Sequence, residues 1–140
     1  MNRLLALYCL IFSVIAYVSA DFHISTGVAT GGRTGVVACP SNYWNCNCYG
    51  KGDRAGVVTD ANNSGLGNIT PDTNFFKIRK GLCGMGEMNF YKRNDGRWEF
   101  YANNGDGKLL GTCYENKAIK KCTTVLLTDK LVCYSYICNP

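Results

Sequence analysis

The chain has 140 residues, with 15 Lys and Arg against 10 Asp and Glu, a single His, nine Cys and 46% hydrophobic side chains. That length suits one domain with a real core. The modest basic charge reads as solvated surface more readily than as a patch for an anionic wall, membrane surface or polyanion, and one imidazole excludes two-histidine acid–base chemistry.

Residues 1–20 read as a signal peptide, with Arg3 as the positive n-region, an apolar stretch over 4–18 and Val18-Ser19-Ala20 as small residues at the cleavage site. The run is interrupted by Ser13 and is shorter than the roughly 18 to 20 residues of a bilayer span, so no transmembrane anchoring is expected. Nor does the end of the chain carry the apolar tail of a lipid-anchor signal. Residues 21–140 are then a single disulfide-rich β domain, secreted and extracellular, beginning at Asp21.

Turn residues punctuate the mature region at short intervals, which leaves little room for a long amphipathic helix. Residues 34–39 and 54–59 read as short strands, and 75–78 alternates over its last positions. Two sequons, at Asn62 and Asn68, fall between them in a Gly/Asn-rich stretch where glycosylation is sterically feasible. The clearest unit is a hairpin, with strands 88–92 and 97–101 joined by Arg93-Asn-Asp-Gly96, in which Asp95-Gly96 supplies positive φ. Trp98 and Phe100 share one face of the returning strand, Glu99 and Tyr101 the other. A second turn at 103–107 leads to a strand at 108–114, completing an antiparallel meander. Residues 115–121 permit a short helix, and 123–128 and 131–137 are two further strands. The fold class is therefore mainly β: an antiparallel β-barrel or β-sandwich with at most one short helix.

Without Cys9 of the leader, an even set of cysteines remains: Cys39, Cys46, Cys48, Cys83, Cys113, Cys122, Cys133 and Cys138. Such a set in a small secreted chain reads as a disulfide framework whose connectivity the sequence leaves open. Cys46 and Cys48 face opposite ways if extended, so different partners are expected. Cys113 and Cys122 flank a short connection and are candidates to staple it.

No complete catalytic constellation is visible, and the expectation is that the protein is not an enzyme. His23, the only histidine, reads as a surface residue on an N-terminal arm, with Glu87, Glu99 or Glu115 as its possible acidic partners in space. Glu87, Glu99, Asp95 and Asp106 lie near the meander and are the candidate carboxylate pair of a glycosidase. However, both Asp residues sit in turns, and Glu99 is expected on the solvent side. The Cys46-Asn47-Cys48 spacing is too tight for zinc, and residues 103–107 lack the late glutamate of a calcium loop, so no metal or cofactor is expected. Tyr43, Trp44 and Tyr49 surround the tight cysteine pair and are the candidate binding residues, extendable by Trp98, Tyr91 and Tyr101 if exposed.

Cys39-Pro-Ser-Asn-Tyr-Trp-Asn-Cys-Asn-Cys-Tyr49, Gly81-Leu-Cys-Gly-Met85, Gly111-Thr-Cys-Tyr114 and Leu131-Val-Cys-Tyr-Ser-Tyr-Ile-Cys138 together carry a resemblance. In pattern and size the mature chain resembles the small secreted cysteine-rich proteins of filamentous ascomycete fungi, some of which act as plant-directed effectors or elicit the hypersensitive response. That resemblance implies a compact β-rich fold, action between fungal and plant cells, and no catalytic residue. The partner expected is a host plant surface or apoplastic protein, with a cell-wall glycan as the second possibility and nucleic acid excluded. A carbohydrate-binding module that engages chitin or another wall glycan is the alternative function, and a cryptic secreted hydrolase the third.

Overall fold

The computed structural model describes residues 20–32, 34–48, 55–58 and 69–138. The leader up to residue 19, Tyr49 and the sequon asparagines Asn62 and Asn68 lie outside the described residues. The strands are β1 (Phe22–Ala29), β2 (Thr34–Pro40), β3 (Ala55–Val58), β4 (Phe75–Ile78), β5 (Met88–Lys92), β6 (Trp98–Ala102), β7 (Leu109–Glu115), β8 (Ile119–Lys121) and β9 (Val125–Tyr134). Consecutive strands pair antiparallel from β1 to β7, β7 pairs with β9, and β9 returns to β1. The result is a closed eight-stranded barrel, with β8 added beside the first half of β9. Closure removes the exposed edges that an open sheet would leave.

The period-2 alternation turns Phe22, Ile24, Phe76, Phe90, Trp98 and Phe100 inward, all at most 1% exposed. Phe90 stacks between Phe76 and Phe100, and Phe22 meets Phe90 and Phe100 edge-on. An eight-stranded barrel is just wide enough for side chains to fill, and these rings fill it. Gly111 of β7 lies opposite Phe100. A Cβ there would overlap the Tyr134 carbonyl oxygen and come within 2.8 Å of Phe100 Cε1. Gly111→Ala should therefore destabilise the protein by about 1–3 kcal/mol, read from chemical denaturation, with Gly86→Ala in open space as the control.

Four disulfides brace the barrel: Cys39–Cys48, Cys46–Cys122, Cys83–Cys138 and Cys113–Cys133. Cys46 and Cys48 take different partners, as expected, but from a run of turns over 44–48 and not from the alternating faces of an extended segment. Cys113 does not pair with Cys122. It lies directly across from Cys133 between β7 and β9, both side chains inside the barrel. The carboxylate of Asp21 accepts hydrogen bonds from Ser135 Oγ and from the backbone N–H groups of Ile137 and Cys138. The last described residues are thus fastened to the start of β1.

The sequence-based elements need four corrections. Residues 22–29 are a strand paired on both sides, so His23 is not on a loose arm. The helix expected over 115–121 is the end of β7, a connection and β8. The two C-terminal strands are one, β9, with Lys130 as an extra residue between Ser25↔Asp129 and Ile24↔Leu131. In the hairpin turn Gly96 alone takes positive φ, while Asp95 Oδ1 accepts the Arg97 N–H.

Candidate functional site

Immediately after β2 the chain forms a 3-10 turn at Ser41–Tyr43 and continues to Cys48 as a flap over the outer face of β1, β2 and β9. Cys39–Cys48 ties the flap to its own root, and Cys46–Cys122 ties it to the end of β8. His23 and Ser25 point outward beneath it, because Phe22 and Ile24 point in. Lys130 resets the alternation of β9, as a bulge does, and brings Asp129 to the same face.

Asp129 is fully buried and is the hub of the cluster. Its Oδ2 accepts hydrogen bonds from His23 Nδ1 at 2.6 Å and Asn116 Nδ2 at 2.7 Å, and its Oδ1 accepts one from Ser25 Oγ at 3.2 Å. Ser25 Oγ in turn accepts from Trp44 Nε1 at 2.8 Å. The Trp44 indole stacks on the His23 ring, 4.7 Å between centroids and 16° between planes. Lys120 Nζ donates to the Trp44 carbonyl and lies 4.7 Å from the indole centroid, within cation–π range.

His23, Ser25 and Asp129 are the residue types of a nucleophilic triad, but the order is wrong. A triad places imidazole between hydroxyl and carboxylate. Here the carboxylate lies between the other two, and the serine hydroxyl is spent on Asp129. The cluster is a polar latch that holds Trp44 and its flap on the barrel. The acidic partner of His23 is Asp129, not Glu87, Glu99 or Glu115.

Of the candidate binding residues, Tyr43 is 50% exposed, whereas Trp44 is half-buried in the latch and Tyr49 lies outside the described residues. Trp98 is in the barrel interior and cannot extend a surface platform. Tyr91 and Tyr101 are on the outside and belong to a different aromatic group. Phe75, Tyr91, Glu99, Thr112 and Tyr134 form one cross-strand row over β4, β5, β6, β7 and β9. Tyr101 packs diagonally on Tyr91, and Tyr114 on Tyr134, at centroid distances near 6 Å. Four interstrand steps of about 4.8 Å make this belt about 19 Å long.

At its centre Glu99 is 9% exposed, although its side chain points away from the core. Arg93 Nε at 3.3 Å, Arg97 at 3.2 Å and the Tyr101 hydroxyl at 2.9 Å cover it, so it does not face open solvent as expected. The hydrogen bond to this carboxylate, reinforced by burial, raises the Tyr101 pKa. A raised folded-state value means that the neutral phenol stabilises the fold below the unfolded value near 10, and that this contribution is lost as pH rises through the folded value. Ultraviolet titration should show one phenol ionising above the ordinary tyrosine value, absent in Tyr101→Phe, and Tyr101→Phe should lose stability less steeply above about pH 10.

Glu87 is held by Lys77 and Asn103, while Asp95 and Asp106 cap their own turns. These carboxylates have separate partners and are not assembled as an acid–base pair. Among the described residues no three His, Cys, Asp or Glu side chains are grouped to hold a metal ion. The latch was missed in the sequence because its members lie up to 106 positions apart. Comparison with protein-family models, curated proteins and solved structures returns no match to this chain.

Proposed function

We propose that the protein is a secreted, effector- or elicitor-like protein that acts by binding a plant surface or apoplastic protein. The observation that carries this reading is the tyrosine belt with Arg93 and Arg97 at its centre, since Tyr and Arg are the residues that most often anchor protein–protein contacts. A filled interior and four disulfides make the barrel a rigid carrier for such a surface. Among the described residues no helix is long and apolar enough to cross a membrane.

Ring orientation favours a protein over a flat polysaccharide. Neighbouring rings are inclined by 46° for Phe75 and Tyr91, 64° for Tyr91 and Tyr101, and 67° for Tyr114 and Tyr134. A crystalline glycan surface would meet coplanar rings better than these. Oxidised wild-type protein infiltrated into leaves should provoke cell death or defence responses, and Tyr91→Ala with Tyr114→Ala should need at least about tenfold more protein at unchanged circular dichroism. Inert wild-type protein, or a fully active double variant, defeats the proposal. Retention on insoluble chitin that Trp44→Ala abolishes in a folded protein would support the glycan reading instead.

A further inference from the structure

Where the edge of β9 passes from β7 to β8, the intervening segment 116–118 leaves a cleft of about 350 Å³ at the barrel wall. Trp98 and Leu131 of the core form its floor, and Ile69 and Ile119 contribute apolar walls. Ile119 is 62% exposed, the most exposed large hydrophobic side chain among the described residues. Lys92, Lys117 and Lys130 line the cleft, with Glu115 and Asp129 as its carboxylates.

The charges are not equally available. Asp129 is committed to His23, Ser25 and Asn116. Glu115 faces Lys92 Nζ at 3.5 Å, and Lys92 also donates to the Pro71 carbonyl. Lys117 and Lys130 have no side-chain hydrogen bond or ion pair among the described residues. An apolar recess with two uncommitted ammonium groups at a barrel wall matches an amphipathic anion in shape and charge, and its volume is at the small end of ligand sites.

We propose that this cleft binds a small organic anion, with an aromatic or aliphatic body over Trp98 and Leu131 and a carboxylate or sulfonate at Lys117 and Lys130. The inference is independent of the tyrosine belt, which lies on the outer face of the barrel.

The test uses the oxidised mature protein with 8-anilinonaphthalene-1-sulfonate and its uncharged counterpart N-phenyl-1-naphthylamine as fluorescent probes. The sulfonate should bind at one saturable site, with energy transfer from tryptophan, and more tightly than the neutral probe. Lys117→Met with Lys130→Met should weaken the sulfonate at least tenfold and leave the neutral probe unchanged, whereas Lys80→Met with Lys108→Met should change neither. Added salt should weaken the sulfonate alone. Equal affinity for the two probes, an unaffected Lys117/Lys130 variant, or no saturable binding overturns the assignment.

Discussion

Phe90→Ala is expected to cost about 3–5 kcal/mol of stability, the range for truncating a buried aromatic ring. Its ring centroid is 4.6 Å from that of Phe76 and 4.8 Å from that of Phe100, with planes 14° and 12° apart. The edge of Phe22 is also directed at this stack. Removing the middle ring strips contacts from three others, and a closed, disulfide-braced barrel cannot collapse to refill the space. The denaturant midpoint should fall while the slope holds, and melting should drop by on the order of 10 °C. The adjacent Tyr91 points outward, so Tyr91→Ala should stay within about 0.5 kcal/mol. A cost below about 1 kcal/mol at Phe90 would mean that the interior is not packed as described.

Asp129→Ala should cost about 3 kcal/mol, because it leaves the buried Ser25 hydroxyl and the part-buried His23 and Asn116 donors without their acceptor. His23 Nδ1, Ser25 Oγ and Asn116 Nδ2 all lose their partner, and Ser25 then holds Trp44 less firmly. The loss should be visible locally as well as globally. Trp44 emission should shift to the red, and amide exchange should accelerate in 41–48, as the flap loosens on its two disulfides. A double-mutant cycle with His23→Ala should give a coupling of about 1 kcal/mol or more, whereas the cycle with Tyr91→Ala should be additive. An additive His23 cycle would remove the latch from the account.

The parts legible in the sequence were those set by neighbours in the chain. Residues 88–101 announced a hairpin because Asp95-Gly96 separates two alternating runs, and both strands are present within one residue of their expected limits. Cys46 and Cys48 do take different partners, although the segment turns where an extended, alternating run was expected. The remaining disulfides were not legible, since Cys113 meets Cys133 through strand register rather than proximity in sequence. Residues 115–121 have good helix formers, yet the pairing of Ile119, Lys120 and Lys121 with β9 overrides that preference. Asp129-Lys130 falls between the two expected strands because a bulge and a turn draw on the same polar residues. The latch was invisible because its carboxylate comes from β9, about a hundred positions from His23 and Ser25. The tyrosine belt was half visible, since Tyr91 and Tyr101 could be assigned a face but not their neighbours on β7 and β9.

β9 makes the seam of the barrel, and this sets an order on biosynthesis. β1 waits for β9, because Phe22 lies across from Cys133 and Ala29 from Val125. Until residues 125–134 have emerged, β1 has an unpaired edge, the latch lacks its carboxylate and the aromatic stack is open on one side. No N-terminal fragment can be a smaller version of this protein. A nascent chain arrested before β9 would be an open, sticky sheet, so closure waits for β9 and belongs to the slow class of folding reactions dominated by distant contacts.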